Sequence, residues 1–169
     1  MKILVTYSSL TGNTKKVAKA INEIMPEGTD LAPVESAPAP DNYDLIALGF
    51  WVNRETADNL AQGYMEKISG KKVALFATLG AYPDSEHALK SMENASALLT
   101  PRNEVIGSFI CQGKIDPALT ERLKKLGPDH PHGMTPERLQ RHEDAARHPN
   151  EEDFANAKRV FAEIVNSCK

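Results

Sequence analysis

Cysteine is nearly absent from this chain: Cys111 and Cys168 are its two examples in 169 residues. Two thiols make no disulfide framework, and their separation is not the spacing of a metal site. Charge of one sign is missing too. Twenty basic residues stand against 23 acidic ones, for a formal net charge of −3. That balance excludes a strongly basic nucleic-acid binder and a polyacidic tail. No apolar run approaches the ~20 residues a membrane-crossing helix needs. The N-terminus, MKILVTY, enters an apolar stretch at once and lacks the layout of a secretory leader. A cytoplasmic protein is expected. Aromatic residues make up only 6%, with one Trp and four Tyr, so any aromatic falling in a loop carries information.

What remains is ordinary globular composition, 41% hydrophobic and 25% charged. The length suits one domain, since domains commonly hold on the order of 100–200 residues. Four runs read as strands buried on both faces, because they are near-continuously apolar and do not alternate: Lys2–Tyr7, Asp44–Phe50, Lys72–Thr78 and Val105–Cys111. A weaker run, Thr29–Val34, contains Pro33, which cannot donate to a ladder and restricts the run to a sheet edge. Helical spacing lies between the strands, at Val17, Ile21, Ile24 and Met25, and again at Leu89, Met92, Ala95 and Leu99. Asp58–Ile68 is a weaker helix, and Phe154, Ala157, Phe161, Ile164, Val165 and Cys168 form the clearest stripe. Strand and helix alternate, so the expected class is α/β with a doubly wound, five-stranded parallel sheet.

Residues 112–150 break the rhythm, as an insertion between the fifth strand and the last helix. Asp116-Pro117 and Thr135-Pro136 are two helix starts, separated by a Gly127–Gly133 loop. Four of the five histidines fall in this excursion. His130 and His132 have no recognised ligand spacing, so no metal site is expected.

In an open parallel sheet, ligands bind beyond the carboxyl ends of the strands. Three loops matter there. The first, Ser8-Ser9-Leu10-Thr11-Gly12-Asn13-Thr14, runs straight into a helix. It offers hydroxyls, a Gly for a tight turn and free amides at a helix N-terminus, which together suit a phosphate. The second, Phe50-Trp51-Val52-Asn53-Arg54, carries the single Trp at a strand end, where its ring can stack on a flat ligand or pack beneath the loop. The third runs from Thr78-Leu79-Gly80 through Tyr82 to Asp84. Gly80 admits close backbone approach, and Tyr82 is either a second stacking ring or a plain surface residue.

Ser9-Leu10-Thr11-Gly12-Asn13-Thr14 closely resembles the T/S-x-T-G-N-T phosphate loop of flavodoxins, directly after the first strand as in that family. The resemblance implies strand order 2-1-3-4-5 and flavin mononucleotide (FMN) as cofactor. It assigns the phosphate to Ser8–Thr14 and the ring to Trp51 and Tyr82, with Phe50, Val52, Asn53, Arg54, Thr78, Leu79, Gly80 and Asp84 around it. Many flavodoxins carry a Gly soon after the first aromatic. Here Val52-Asn53 stands in that stretch, and Asn53 is expected to supply the left-handed backbone. Arg54 is expected near the ring, where its charge would favour the reduced anion. The wording of Gly49-Phe50-Trp51 and Thr78–Asp84 is also similar to a flavodoxin-like subgroup associated with bilirubin reductase.

A phospho-acceptor receiver would need paired acids where Tyr7-Ser8-Ser9 stands, and neither a G-x-G-x-x-G nor a P-loop signature occurs. No catalytic acid–base pair is apparent. The function expected is FMN-dependent electron transfer with a partner redox protein such as a reductase. The alternative is FMN-dependent reduction of a quinone-like or tetrapyrrole substrate. Neither nucleic acid nor membrane is expected as a partner, and the chain is expected as a monomer or weak homodimer. Flavodoxins are typically more acidic than this chain, so long-range electrostatic steering of a partner should be weak.

Overall fold

A computed structural model describes residues 1–169. The sheet has six strands: β1 (Ile3–Tyr7), β2 (Asp30–Pro33), β3 (Leu45–Asn53), β4 (Thr56–Ala57), β5 (Lys72–Leu79) and β6 (Glu104–Gln112). The parallel order is β2-β1-β3-β5-β6, with β4 paired to β3 outside that path. This is the expected five-stranded winding with one addition, the antiparallel β3–β4 hairpin. Pro33 lies in the edge strand β2, paired with Tyr7.

The sheet is apolar throughout because each strand feeds two cores. Leu4, Ile46, Leu48, Val73, Leu75 and Ala77 face one cluster, while Ile3, Val5, Leu45, Ala47, Ala74 and Phe76 face the other. Successive strand residues point to opposite faces, so two buried faces require apolar residues at both parities. Helices α1 (Asn13–Asn22) and α6 (Glu151–Ser167) cover the second cluster, through Val17, Ile21, Phe161 and Val165. Helices α2 (Asn59–Met65) and α3 (Glu86–Leu99) cover the first, through Ala61, Met65, Ala95 and Leu99. Leu89 departs from the expected stripe: it is 62% exposed, and Ala88 and Ser91 take the buried positions on α3.

Gly49 is needed where β3 runs beside β5. It pairs with Phe76, and a Cβ there would overlap the Phe76 ring. That ring in turn meets Phe161 edge-on, with centroids 5.8 Å apart. Helix α6 begins with a capping box, in which Asn150 Oδ1 accepts from Asp153 N and the Asp153 carboxylate accepts from Asn150 N at 2.8 Å. Between β6 and α6 the chain forms α4 (Pro117–Lys124) and α5 (Pro136–Ala145), capped by Asp116 and Thr135 as their sequence implies. Both lie at the carboxyl edge of the sheet, where Lys114 N donates to His148 O and Tyr82 reaches Asp144.

Candidate functional site

The carboxyl ends of β1, β3 and β5 converge on one cleft of about 200 Å³. It is walled by Ser9, Leu10, Thr11, Asn13 and Thr14 of the first loop, Trp51 and Val52 of the second, and Thr78, Leu79 and Gly80 of the third. A larger concavity, about 790 Å³, lies around Met1, Asp44 and Lys72 at the opposite, amino ends of the strands. Chemistry favours the smaller one, because helix N-termini point only at the carboxyl edge.

The first loop is built as an anion cradle. Gly12 adopts φ 94°, a left-handed turn that reverses the chain into α1. Ser9 Oγ accepts from Gly12 N at 3.1 Å and Lys15 N at 3.3 Å, which fixes the loop from inside. The amides of Leu10, Thr11, Asn13 and Thr14 have no acceptor within the protein, and they sit at the positive end of the α1 dipole. The Asn13 side chain donates to Lys114 O at 2.9 Å. The Thr14 hydroxyl meets the Thr78 hydroxyl at 2.9 Å, both buried, and so ties α1 to the end of β5.

Behind the cradle stands Asp58, which is 1% exposed. Its carboxylate accepts from Ser8 Oγ at 2.7 Å, from Leu60 N and Ala61 N at 3.1 and 3.2 Å, and from Trp51 N at 3.3 Å. One buried acid therefore caps α2 and holds the ends of β1 and β3 in register.

Several expected site residues lie elsewhere. Ser8 points into Asp58 and not into the cleft. Phe50 is fully buried in the α2–α3 core, because the strand alternation that presents Trp51 on one side sends Phe50 to the other. Gly12 shapes the turn without lining the cleft. Asn53 does not supply the left-handed backbone: it pairs with Thr56 in the ladder, and Arg54 and Glu55 carry φ 50° and 59° at the hairpin tip. That two-residue turn matches the twist of the hairpin. Arg54 is thereby exposed at the tip, away from the cleft lining. The tip is tied to α3, where Asn94 Nδ2 donates to Glu55 O at 2.8 Å. Tyr82 is 39% exposed and donates its O–H to Asp144 Oδ2 at 2.7 Å, so it belongs to an adjoining groove. Asp84 is exposed, and Ser85 is the cap of α3.

A fourth wall adds side chains that the three loops do not supply. Gly113, Lys114, Ile115, Asp116 and Leu119 close the cleft from the excursion. Gly113 is there because a Cβ would stand 2.6 Å from Asn13 Nδ2, and Gly113 N donates to Leu79 O at 2.8 Å. Glycine after a strand end was the available signal, though its partner lies a hundred residues away. Cys111, at the same strand end, is buried, and desolvation first and Asp153 second push its thiol far above the ordinary range. It is a packing residue and not a nucleophile.

A family model described as "Flavodoxin domain" matches residues 4–162. This chain belongs to the flavodoxin family. It is 38% identical over 169 residues to a "Flavodoxin-like domain-containing protein BilS" of Clostridioides difficile, covering 96% of this chain and 94% of that one. Among solved structures it is similar to oxidised Flavodoxin 1 of Bacillus cereus, at TM-score 0.63, 16% identity and 98% coverage of each chain. It is also similar to a Lactobacillus acidophilus flavoprotein in complex with FMN, at TM-score 0.55 and 17% identity, covering 72% of this chain and 97% of that one. The winding of this flavodoxin is that of its family. No helix is long and apolar enough to cross a membrane.

Proposed function

We propose that this flavodoxin binds FMN in the β1–β3–β5 cleft and passes electrons to or from a partner redox protein, in the cytoplasm, as a monomer or weak homodimer. One observation carries the reading. Four amides without acceptors, at Leu10, Thr11, Asn13 and Thr14, crown the N-terminus of α1 beside a cleft walled by Trp51 and Leu79. Amides of that kind suit a phosphate monoester, and the apolar wall suits a flat ring.

FMN, when bound, supplies the reversible redox chemistry. The chain supplies the rest. The loop amides and the α1 dipole would hold the phosphate without a cation in the loop. Trp51, whose amide is fixed on Asp58, would flank the ring, with Leu10 and Leu79 beside it. Ile115 and Leu119 would exclude water from the side the excursion covers. No titratable side chain of β1, β3 or β5 lines the cleft; its ionisable residues, Lys114 and Asp116, come from the excursion.

Titrating FMN into apoprotein at micromolar concentration tests this directly. Saturable quenching of flavin fluorescence is expected, weakened by Thr11→Pro. Unchanged fluorescence throughout would remove the reading.

A second reading, FMN-dependent reduction of a small quinone-like or tetrapyrrole molecule, is favoured by the walling of the cleft with Ile115 and Leu119. Nicotinamide oxidation by the FMN-loaded protein alone, without any added reductase, would support it.

A further inference from the structure

A second concavity, of about 670 Å³, lies between the Tyr82 loop and the α4–α5 excursion. It shares Gly80, Ile115 and Leu119 with the cleft described above. Those three residues form a partition with the phosphate cradle on one side and the groove on the other. The floor of the groove is apolar, with Leu119 and Leu123 both half-buried along one face of α4.

Its polar groups are mostly committed. Arg138 Nη1 donates to Gly133 O at 2.6 Å. His87 pairs with Glu55 at 3.3 Å. His142 Nδ1 meets the Thr120 hydroxyl at 2.7 Å, and burial first and Arg141 second lower its pKa, so it stays neutral at pH 7. Glu137, one turn before Arg141 on α5, is the single acid in the lining, and it makes no ion pair.

Arg141, unlike Arg138, His87 and His142, is uncommitted. None of its five guanidinium N–H groups meets an acceptor in the protein, although the residue is half-buried and its Nε is shielded from solvent. An arginine left unpaired against an apolar wall has the donors and the planar fork to take a carboxylate. An uncommitted cation in the same groove as Leu119 and Leu123 favours an apolar body carrying an acid group. Neutral polar molecules and dianions without an apolar part gain little there.

We propose that this groove is a binding subsite for a small apolar carboxylate, with its acid group on Arg141 and its body along Leu119 and Leu123. That the occupant would lie beside a flavin rests on the FMN reading above; the groove itself does not depend on it.

Fluorescence titration with 1-pyrenebutyrate, and with the neutral 1-pyrenebutanol as control, tests the assignment on the full chain, with and without saturating FMN. The acid should bind saturably and more tightly than the alcohol. Arg141→Gln should weaken the acid about tenfold and leave the alcohol unchanged, as expected for loss of a charge-assisted contact. Arg141→Lys, which keeps the charge and loses the fork, should fall between. Unchanged melting temperatures would show that both variants fold.

Equal affinity for acid and alcohol, indifference to Arg141→Gln, or absence of saturable binding would each overturn the proposal. Displacement of pyrenebutyrate by FMN would also overturn it, by assigning the groove to the flavin. Failure of FMN to bind while pyrenebutyrate still does would remove the FMN reading alone.

Discussion

Asp58 is the residue whose removal should be felt most at this site, and the structure allows the cost to be worked out. Its carboxylate has four donors: Ser8 Oγ, Trp51 N, Leu60 N and Ala61 N. Loss of an N-cap costs about 1 kcal/mol. The Ser8 hydroxyl and the Trp51 amide then lose their acceptor in a region where Asp58 is 1% exposed and Ser8 equally so. Each orphaned buried polar group costs about 1–3 kcal/mol. With both groups near the low end of that range, because Trp51 is only half-buried and its contact is long, Asp58→Ala should destabilise the protein by about 3–4 kcal/mol. Ser8→Ala leaves the carboxylate with three amide donors and should cost about 1 kcal/mol. The double variant has no orphaned hydroxyl, so its cost should be roughly 3 kcal/mol, about 1.5 less than the sum. Urea unfolding of the four proteins, followed by far-UV circular dichroism, measures the coupling. Weakened FMN binding in Asp58→Ala, through the released Trp51 amide, is a second readout. Additivity within ~0.5 kcal/mol would refute the claim that Ser8 and Asp58 form one buried unit.

Three further outcomes follow from the same contacts. Gly113→Ala places a methyl 2.6 Å from Asn13 Nδ2; it should disturb the Asn13–Lys114 bond and weaken FMN binding at least several-fold in a fluorescence titration, with a small change in melting temperature. Tyr82→Phe removes the hydrogen bond that, ahead of Gln140, holds the Asp144 carboxyl below its ordinary range. The Asp144 pKa should then rise in an NMR titration, and any stability its ionised form contributes, present above its unfolded value and lost as pH falls through the folded one, should be lost at higher pH than in the parent. An unshifted Asp144 would mean that the phenol does not hold it. Cys111 is buried with its thiol raised, whereas Cys168 is partly exposed. Native protein at pH 8 should therefore react with a thiol reagent at one site quickly and at the other only on unfolding, as read by mass spectrometry.

The strands and the first loop were legible in the sequence because their signals are local. A strand buried on both faces must be apolar at both parities, and Leu45–Leu48 in the central β3 shows that without reference to anything else. The Ser9–Thr14 loop is similarly self-contained, since its turn and its free amides arise within six residues. The β3–β4 hairpin was not legible. Its tip uses Arg54 and Glu55 at positive φ in place of the Asn or Gly that would announce such a turn. Side-chain ties to α3, through Asn94 and His87, accompany that unfavoured backbone. Phe50 was misread for a different reason: a motif names neighbours along the chain, whereas strand alternation sends neighbours to opposite faces.

The remaining wall of the site is written in contacts that no local pattern carries. Ser8 meets Asp58 at a separation of 50 residues, Tyr82 meets Asp144 at 62, and Asn13 meets Lys114 at 101. All three are single polar contacts, with no periodicity to betray them, and each joins a loop of the sheet edge to a segment that follows it in space alone. Two of them fasten the 112–150 excursion to the phosphate loop and to the third loop, and a third fastening runs through Gly113 N to Leu79 O. An excursion held at three points across the carboxyl edge covers the cleft on the side where Ile115 and Leu119 stand and leaves the Leu10 side open, with Leu10 70% exposed. On the carrier reading proposed above, a large partner would reach a bound ring from that side. The weak net charge of −3 gives little guidance from a distance. Under that proposal, recognition would fall to the shape of that opening, at the Leu10 turn and the β3–β4 hairpin, more than to the overall field of the molecule.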